Sequence, residues 1–260
     1  MHRLVASVDL RDRSVLRRVW GTGIGTVMAL AVAPYPIAAL FVDDEVPHRI
    51  HNVVGAVQYL PLWAVPVLML TWGRDVAGAT KIALAASCSM FAVGIWSGDL
   101  LPSLSWMPLA TLLPIVVRRT DWTVHLSPWF AAAAAAAVVV ASRHASTYVG
   151  YQRLGMADSH SLRFHFSGMA ASYLTISSAL VVCALFPVGA TLRRVVAVTV
   201  LGTGITNVVW ANSESALPRF DALLLVGAGV VSLAASGFLR RRGTERTADA
   251  DVAATMPISR

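Results

Sequence analysis

The chain has 260 residues, of which 56% are hydrophobic and only 13% charged, and its mean hydropathy is +0.64. No soluble core of this size hides so much Leu, Val, Ala and Ile without leaving large apolar patches in water, so the composition excludes soluble classes and indicates an integral membrane protein. The formal charge is +7, but the basic residues stand in short clusters between apolar runs, not on one face or in one tail, so nucleic acid is not the partner they imply.

A hydrocarbon layer of about 30 Å takes roughly 20 apolar residues per helix. On that measure eight spans are expected, at 20–41, 52–72, 80–98, 102–118, 127–149, 165–187, 192–211 and 220–239. Each run is too long and too continuously apolar for the alternating strands of an outer-membrane barrel, so the fold class is an all-α, polytopic transmembrane helical bundle. The first run follows the basic segment MHRLVASVDLRDRSVLRRVW and lacks a clean small-residue cleavage site, which favours a retained anchor; cleavage after Ala39 would leave seven spans. Pro34, Pro36, Pro61 and Pro66 are expected to kink the first two helices. Residues 240–260 are polar and mixed in charge, and a disordered tail is expected there. Cys88 and Cys183 lie inside apolar runs and read as small buried hydrophobes.

Eight spans put both termini on one side. Sixteen of the 21 basic residues then fall on the side of the termini and five (Arg49, Arg143, Arg153, Arg163 and Arg219) on the other, which places 1–19 and 240–260 in the cytoplasm of a cell-membrane protein. Trp20, Trp72, Trp122 and Trp129 fall near the inner boundary and Trp96, Trp106 and Trp210 near the outer one, the pattern of an aromatic belt.

Two segments resemble each other. HNVVGAVQYL, opening the second span, matches HFSGMAASYL, opening the sixth, pairing His51 with His165 and Tyr59 with Tyr173. GAT recurs at 78–80 and 189–191, and Trp96 and Trp210 each lie 45 residues past their histidine. The expected architecture is therefore four plus four, with 20–118 and 119–239 as two four-helix repeats in the same orientation.

The stretch LGMADSHSLRFHFSGMAASYL resembles the signature region of the YndJ-like family of bacterial polytopic membrane proteins, in which a histidine-aromatic-histidine-aromatic-small-Gly motif follows a similar leader. Here Arg163, Phe164, His165, Phe166, Ser167 and Gly168 stand in that motif, with Arg163 in place of the first histidine. The resemblance is best over residues 150–185; it implies a bacterial inner-membrane bundle and a place to look, but no reaction.

Polar residues gather on the outer side. Asp43, Asp44, Glu45, His48 and His51 stand at the mouth of the second span, and Asp158, His160 and His165 at the mouth of the sixth; His144, Asp99, Glu214 and Asp221 flank outer ends of other spans. Imidazole and carboxylate together serve as acid and base or bind a divalent ion. No HExxH-type pair is present, so no metal is assigned. His51, His165 and Asp158 are the candidate catalytic residues, and His48, His160 and Arg163 candidate ligand-binding residues at an outward-facing vestibule. Arg163 equally suits a lipid phosphate. Beneath it Gln58, Tyr59, Tyr173 and Asn207 either line a polar pocket for a small amphipathic ligand or make interhelical hydrogen bonds worth about 0.6–2 kcal/mol apiece. The spans lack a central Asp, Glu, Lys or Arg, which disfavours a proton-relay transporter, and Lys81 stands at an inner boundary. Gly21 with Gly25 and the GAG at 227–229 are expected to let helices approach closely, not to cradle a dinucleotide. Two functions fit: a non-catalytic protein of envelope maintenance, sensing or export that binds a lipid or small amphipathic ligand, and a membrane-embedded enzyme acting on a lipidic or isoprenoid-like substrate. Membrane lipids are the partners both imply.

Overall fold

In the computed structural model the described residues are Gly23, Ile50, 53–55, 57–58, 60–98, 122–154, 165–213 and 216–255, with the backbone alone for 60, 71, 165 and 238–255. All regular structure among them is helical. Described helical residues between 50 and 58 lead into a π turn, Leu60–Ala64, and then α1, Val65–Thr71; α2 is Val76–Ser97, α3 Pro128–Arg153, α4 His165–Leu185, α5 Ala190–Val209 and α6 Arg219–Thr255. Among the described residues five helices are long and apolar enough to cross a membrane: α2, α3, α5, Phe166–Leu185 of α4 and Arg219–Gly237 of α6. At 1.5 Å per residue their 19 to 26 residues cover the hydrocarbon layer, the architecture of a multi-pass membrane protein. Apart from Gly23, the expected first span lies outside the described residues, as does the whole of the fourth.

Local chemistry explains the ends. Proline has no N–H and its ring crowds the carbonyl four residues back; Pro61 lies within the widened π turn and Pro66 in the first turn of α1 just after it, where the second span was expected to kink. Asp75, in the left-handed region at φ 42°, caps α2 by accepting a hydrogen bond from Gly78 N, and Gly98 closes that helix at φ 83°. Pro128 opens α3, where its missing N–H costs nothing. Pro187 follows the last turn of α4, and Gly189 caps α5. Two of the orphan carbonyls at the end of α4 are met by an extended segment: His125 N donates to Leu185 O and Ser127 N to Ala184 O, each at 2.8 Å.

α6 continues through Thr255, so the backbone of 240–255 is helical. Its Arg, Glu and Ala residues are strong helix formers, and the apolar part of α6 supplies the nucleus they extend.

α4 is central: 72% of its span is buried, against 39% for α3 and 44% for α6. It packs between α2 and α3; α5 lies along α6, and α6 also contacts α3. The start of α2, α3 and α5 and the finish of α4 share one end of the bundle, here the Asp75 end. The start of α4 and α6 and the finish of α2, α3 and α5 form the other, the Asp221 end. Phe91, Ile95, Val138, Val139, Val198 and Leu223 point outward, where lipid is the matching solvent.

Glycine brings α5 and α6 together. A Cβ on Gly229 would stand 2.6 Å from Leu201 Cα, and one on Gly204 2.6 Å from Val226 N, both backbone atoms that cannot step aside. Gly227 has open space around it. Gly229→Ala is therefore expected to destabilise the purified protein by about 1–3 kcal/mol through overpacking, while Gly227→Ala stays within about 0.5 kcal/mol. Unfolding in mixed micelles measures both, and equal effects at the two glycines would contradict this packing.

Candidate functional site

The Asp221 end holds an ion cluster built by two helices. α3 supplies Arg143 and His144, and the first turn of α6 supplies Asp221, where the helix dipole favours a carboxylate. Asp221 is almost wholly buried, with its side chain 3% exposed. Its Oδ2 lies 2.7 Å from His144 Nε2 and its Oδ1 3.4 Å from Arg143 Nη1. Arg143, which has donors only, donates to the carboxylate, and the imidazole pairs with its second oxygen. The Arg143 side chain remains 63% exposed, leaving most of its donors free to meet a ligand.

Aromatic rings connect this cluster to the interior. His144, Tyr148 and Tyr151 follow one another at helical spacing on α3, and Phe166 and Tyr173 face them from α4. Tyr148 stacks on Tyr173 with centroids 6.3 Å apart and planes 9° from parallel, and on Phe166 at 6.1 Å; the His144 and Tyr173 centroids are 6.3 Å apart. Tyr173 OH donates to Asn207 Oδ1 at 3.3 Å, and Leu217 N donates to the same oxygen at 2.8 Å. Asn207 Nδ2 donates to Thr203 O, and Gln58 Nε2 donates to Thr203 Oγ1 at 3.2 Å. A polar track thus runs from Asp221 through His144, Tyr173, Asn207 and Thr203 to Gln58. It ends on Gln58 Oε1, a buried acceptor with no hydrogen-bond partner among the described residues.

Gln58, Tyr173 and Asn207, singled out in the sequence, therefore share one track, in which Tyr173 and Asn207 make interhelical bonds. His165 opens α4 by its backbone; its side chain is not described. His48, His51, Tyr59, Asp158, His160 and Arg163 lie outside the described residues. Among the described residues no three His, Cys, Asp or Glu side chains gather as a metal ion requires. His144 and Asp221 were each expected near outer span ends and Arg143 among the outer basic residues; what sequence reasoning missed is that the three meet in one cluster. Arg143 and His144 both stand inside α3 and not beyond its end. The available signal was an Arg-His pair near the end of an apolar helix, since an ionisable group there requires a partner.

No family model, curated protein or solved structure matches the chain.

Asn207→Leu strips the acceptor from both Tyr173 OH and Leu217 N and should cost about 1–3 kcal/mol for each donor left unpaired. Tyr173→Phe leaves the Leu217 bond intact and should cost about 0.5–1.5 kcal/mol. Unfolding of the purified variants checks the order, and a Tyr173→Phe loss equal to that of Asn207→Leu would contradict it.

Proposed function

We propose that the chain is a non-catalytic, multi-pass protein of the bacterial inner membrane that binds a lipid or small amphipathic ligand at an outward-facing vestibule at its Asp221 end. The observation that carries the reading is the exposed Arg143 guanidinium anchored by a buried carboxylate beside an aromatic wall. Such a site offers donors to a polar head and, through Tyr151 and Phe220, which are exposed, apolar surface to a tail. The unpartnered Gln58 Oε1 at the deep end of the track suits a hydroxyl or amide of the ligand. Roles in envelope maintenance, sensing or export fit such a protein, and the resemblance to the YndJ-like family belongs to the same proposal.

The proposal includes eight helices in two repeats. Helix boundaries support it: α1 and α4 end at Thr71 and Leu185, and α2 and α5 begin at Val76 and Ala190, each pair 114 positions apart. Contacts across the halves support it too. α2 packs on α4, while α5 packs on the π turn. Ser89 of α2 bonds Ser178 at 3.0 Å and Thr203 of α5 bonds Gln58; Ser89 and Thr203 are again 114 apart. The excess of basic residues on the other side supports a cytoplasmic position for both termini. Reporter fusions at 157 should then read external and fusions at 250 cytoplasmic; the opposite pattern would reverse the vestibule.

A second reading, a membrane enzyme acting on a lipidic or isoprenoid-like substrate, is favoured by the 2.7 Å His144 and Asp221 contact, since a carboxylate that orients an imidazole is the arrangement a general base uses. His51, His165, His48 and Asp158 would be its further acid, base or binding groups. One experiment separates the two. Mass spectrometry of protein purified in mild detergent should find a bound amphipathic species that Arg143→Ala and Asp221→Asn each retain about tenfold less, the loss expected of one charge-assisted contact. His51→Ala and His165→Ala should keep both the bound species and the cellular phenotype. Loss of phenotype with retention of the species would favour the enzyme, and equal retention by all variants would refute the vestibule.

A further inference from the structure

At the Asp75 end, opposite the vestibule, an ammonium group is buried without an acceptor. Lys81 lies in the second turn of α2 and is 1% exposed, and its Nζ has no hydrogen-bond partner among the described residues. Its neighbours are ring faces: Nζ stands 5.0 Å from the centroid of Phe186 and 5.6 Å from that of Trp122, and the two rings meet edge to face at 5.5 Å. Both rings are held by one junction, because Phe186 follows the last residue of α4 and Trp122 leads the extended segment whose amides cap that helix. A second cation is similarly placed. Arg193, in the first turns of α5, lies 5.4 Å over Phe130, and its Nε is buried with no acceptor.

The nearby carboxylate is already engaged. Asp75 accepts from Gly78 N at 3.3 Å and from Gly189 N at 2.6 Å. Among described side chains, the Asp75 end carries four cations, Arg74, Lys81, Arg193 and Arg194, and this one acid. Ring faces attract a cation but accept none of its hydrogen bonds in the manner of an oxygen. An ammonium without an acceptor and a guanidinium whose Nε has none, with positive charge in excess among the described side chains of this end, call for an acceptor-only anion.

We propose that Lys81, walled by Trp122 and Phe186, is an anion site for a phosphate group, and that Arg193, over Phe130 at the same end of the bundle, adds to the positive field that draws the anion in. A phosphate supplies the acceptor oxygens that the Lys81 ammonium lacks. Trp72, Trp122 and Trp129 are 53–64% exposed around this end, the placement of tryptophans at headgroup level, so the phosphate reaches the site on an anionic lipid or as the free ion.

The test measures the thermal midpoint of the whole protein in nanodiscs of phosphatidylcholine alone, of phosphatidylcholine with phosphatidylglycerol, and of phosphatidylcholine with inorganic phosphate, all at matched ionic strength. Wild type should be stabilised over the first condition by phosphatidylglycerol, by phosphate or by both. A shift with phosphatidylglycerol alone identifies a lipid headgroup as the source, and one with phosphate identifies the free ion as sufficient. Lys81→Met removes a lone buried charge and should raise the midpoint in phosphatidylcholine, yet lose the anion-dependent shift, with affinity about ten- to a hundredfold weaker. Lys81→Arg should retain the shift. Arg193→Gln should weaken it as well and serves alone if Lys81→Met fails to fold. No anion-dependent shift in wild type, or a full shift in both Lys81→Met and Arg193→Gln, overturns the site.

Discussion

The side-chain amide of Asn207, fully buried among apolar helices, makes three hydrogen bonds that fix three different parts of the molecule. In a hydrocarbon-facing bundle no solvent stands ready to replace a lost partner, so each bond restricts what its partner can do. The bond from Tyr173 sets the rotation of α4 against α5. The bond from Leu217 N draws the turn before α6 under the end of α5 and so brings Asp221 to its position. With Tyr173 oriented, Tyr148 stacks upon it and His144 falls beside the same ring, within reach of Asp221. The ion cluster at the bundle end therefore depends on an amide two elements away.

Polar groups carry this burden because the helices are apolar nearly all round. A helix with one apolar face has its rotation set by water. A helix whose faces are alike has no such cue, and small residues and hydrogen bonds choose its contacts. Gly204 and Gly229 make that choice between α5 and α6. Ser89 and Ser178 contribute to it between α2 and α4, and Gln58 and Thr203 between the second span and α5. Asp75 adds a tie at the opposite end by accepting amides from the start of α2 and the start of α5 together.

The same physics explains what could be read in advance. Apolar length is a property of a contiguous stretch, so the centres of α2 to α6 were legible. Asp75 was a legible cap that apolar counting passed over, since the helix begins at Val76 in mixed sequence. The helical course of 240–255 follows helix propensity, which polarity alone does not report. Tyr173, Asn207 and Gln58 could be identified as buried polar residues one by one. Their joining into a track, and the meeting of His144 with Asp221 across 77 positions, depend on helix rotation, which periodicity cannot report where apolar residues occupy every face.

The short passage from Val209 to Arg219 has a consequence for how the chain enters the bilayer. α5 and α6 are adjacent in sequence, meet through glycine without any third helix, and have their connection fastened from within by Asn207 and Leu217. Such a pair forms a helical hairpin whose closest contacts are all supplied by about 48 consecutive residues, so loop closure costs little when they meet. The last two spans can thus pair on leaving the insertion machinery and dock as one piece, with α4 already waiting to offer Tyr173 to the amide at the hairpin's tip.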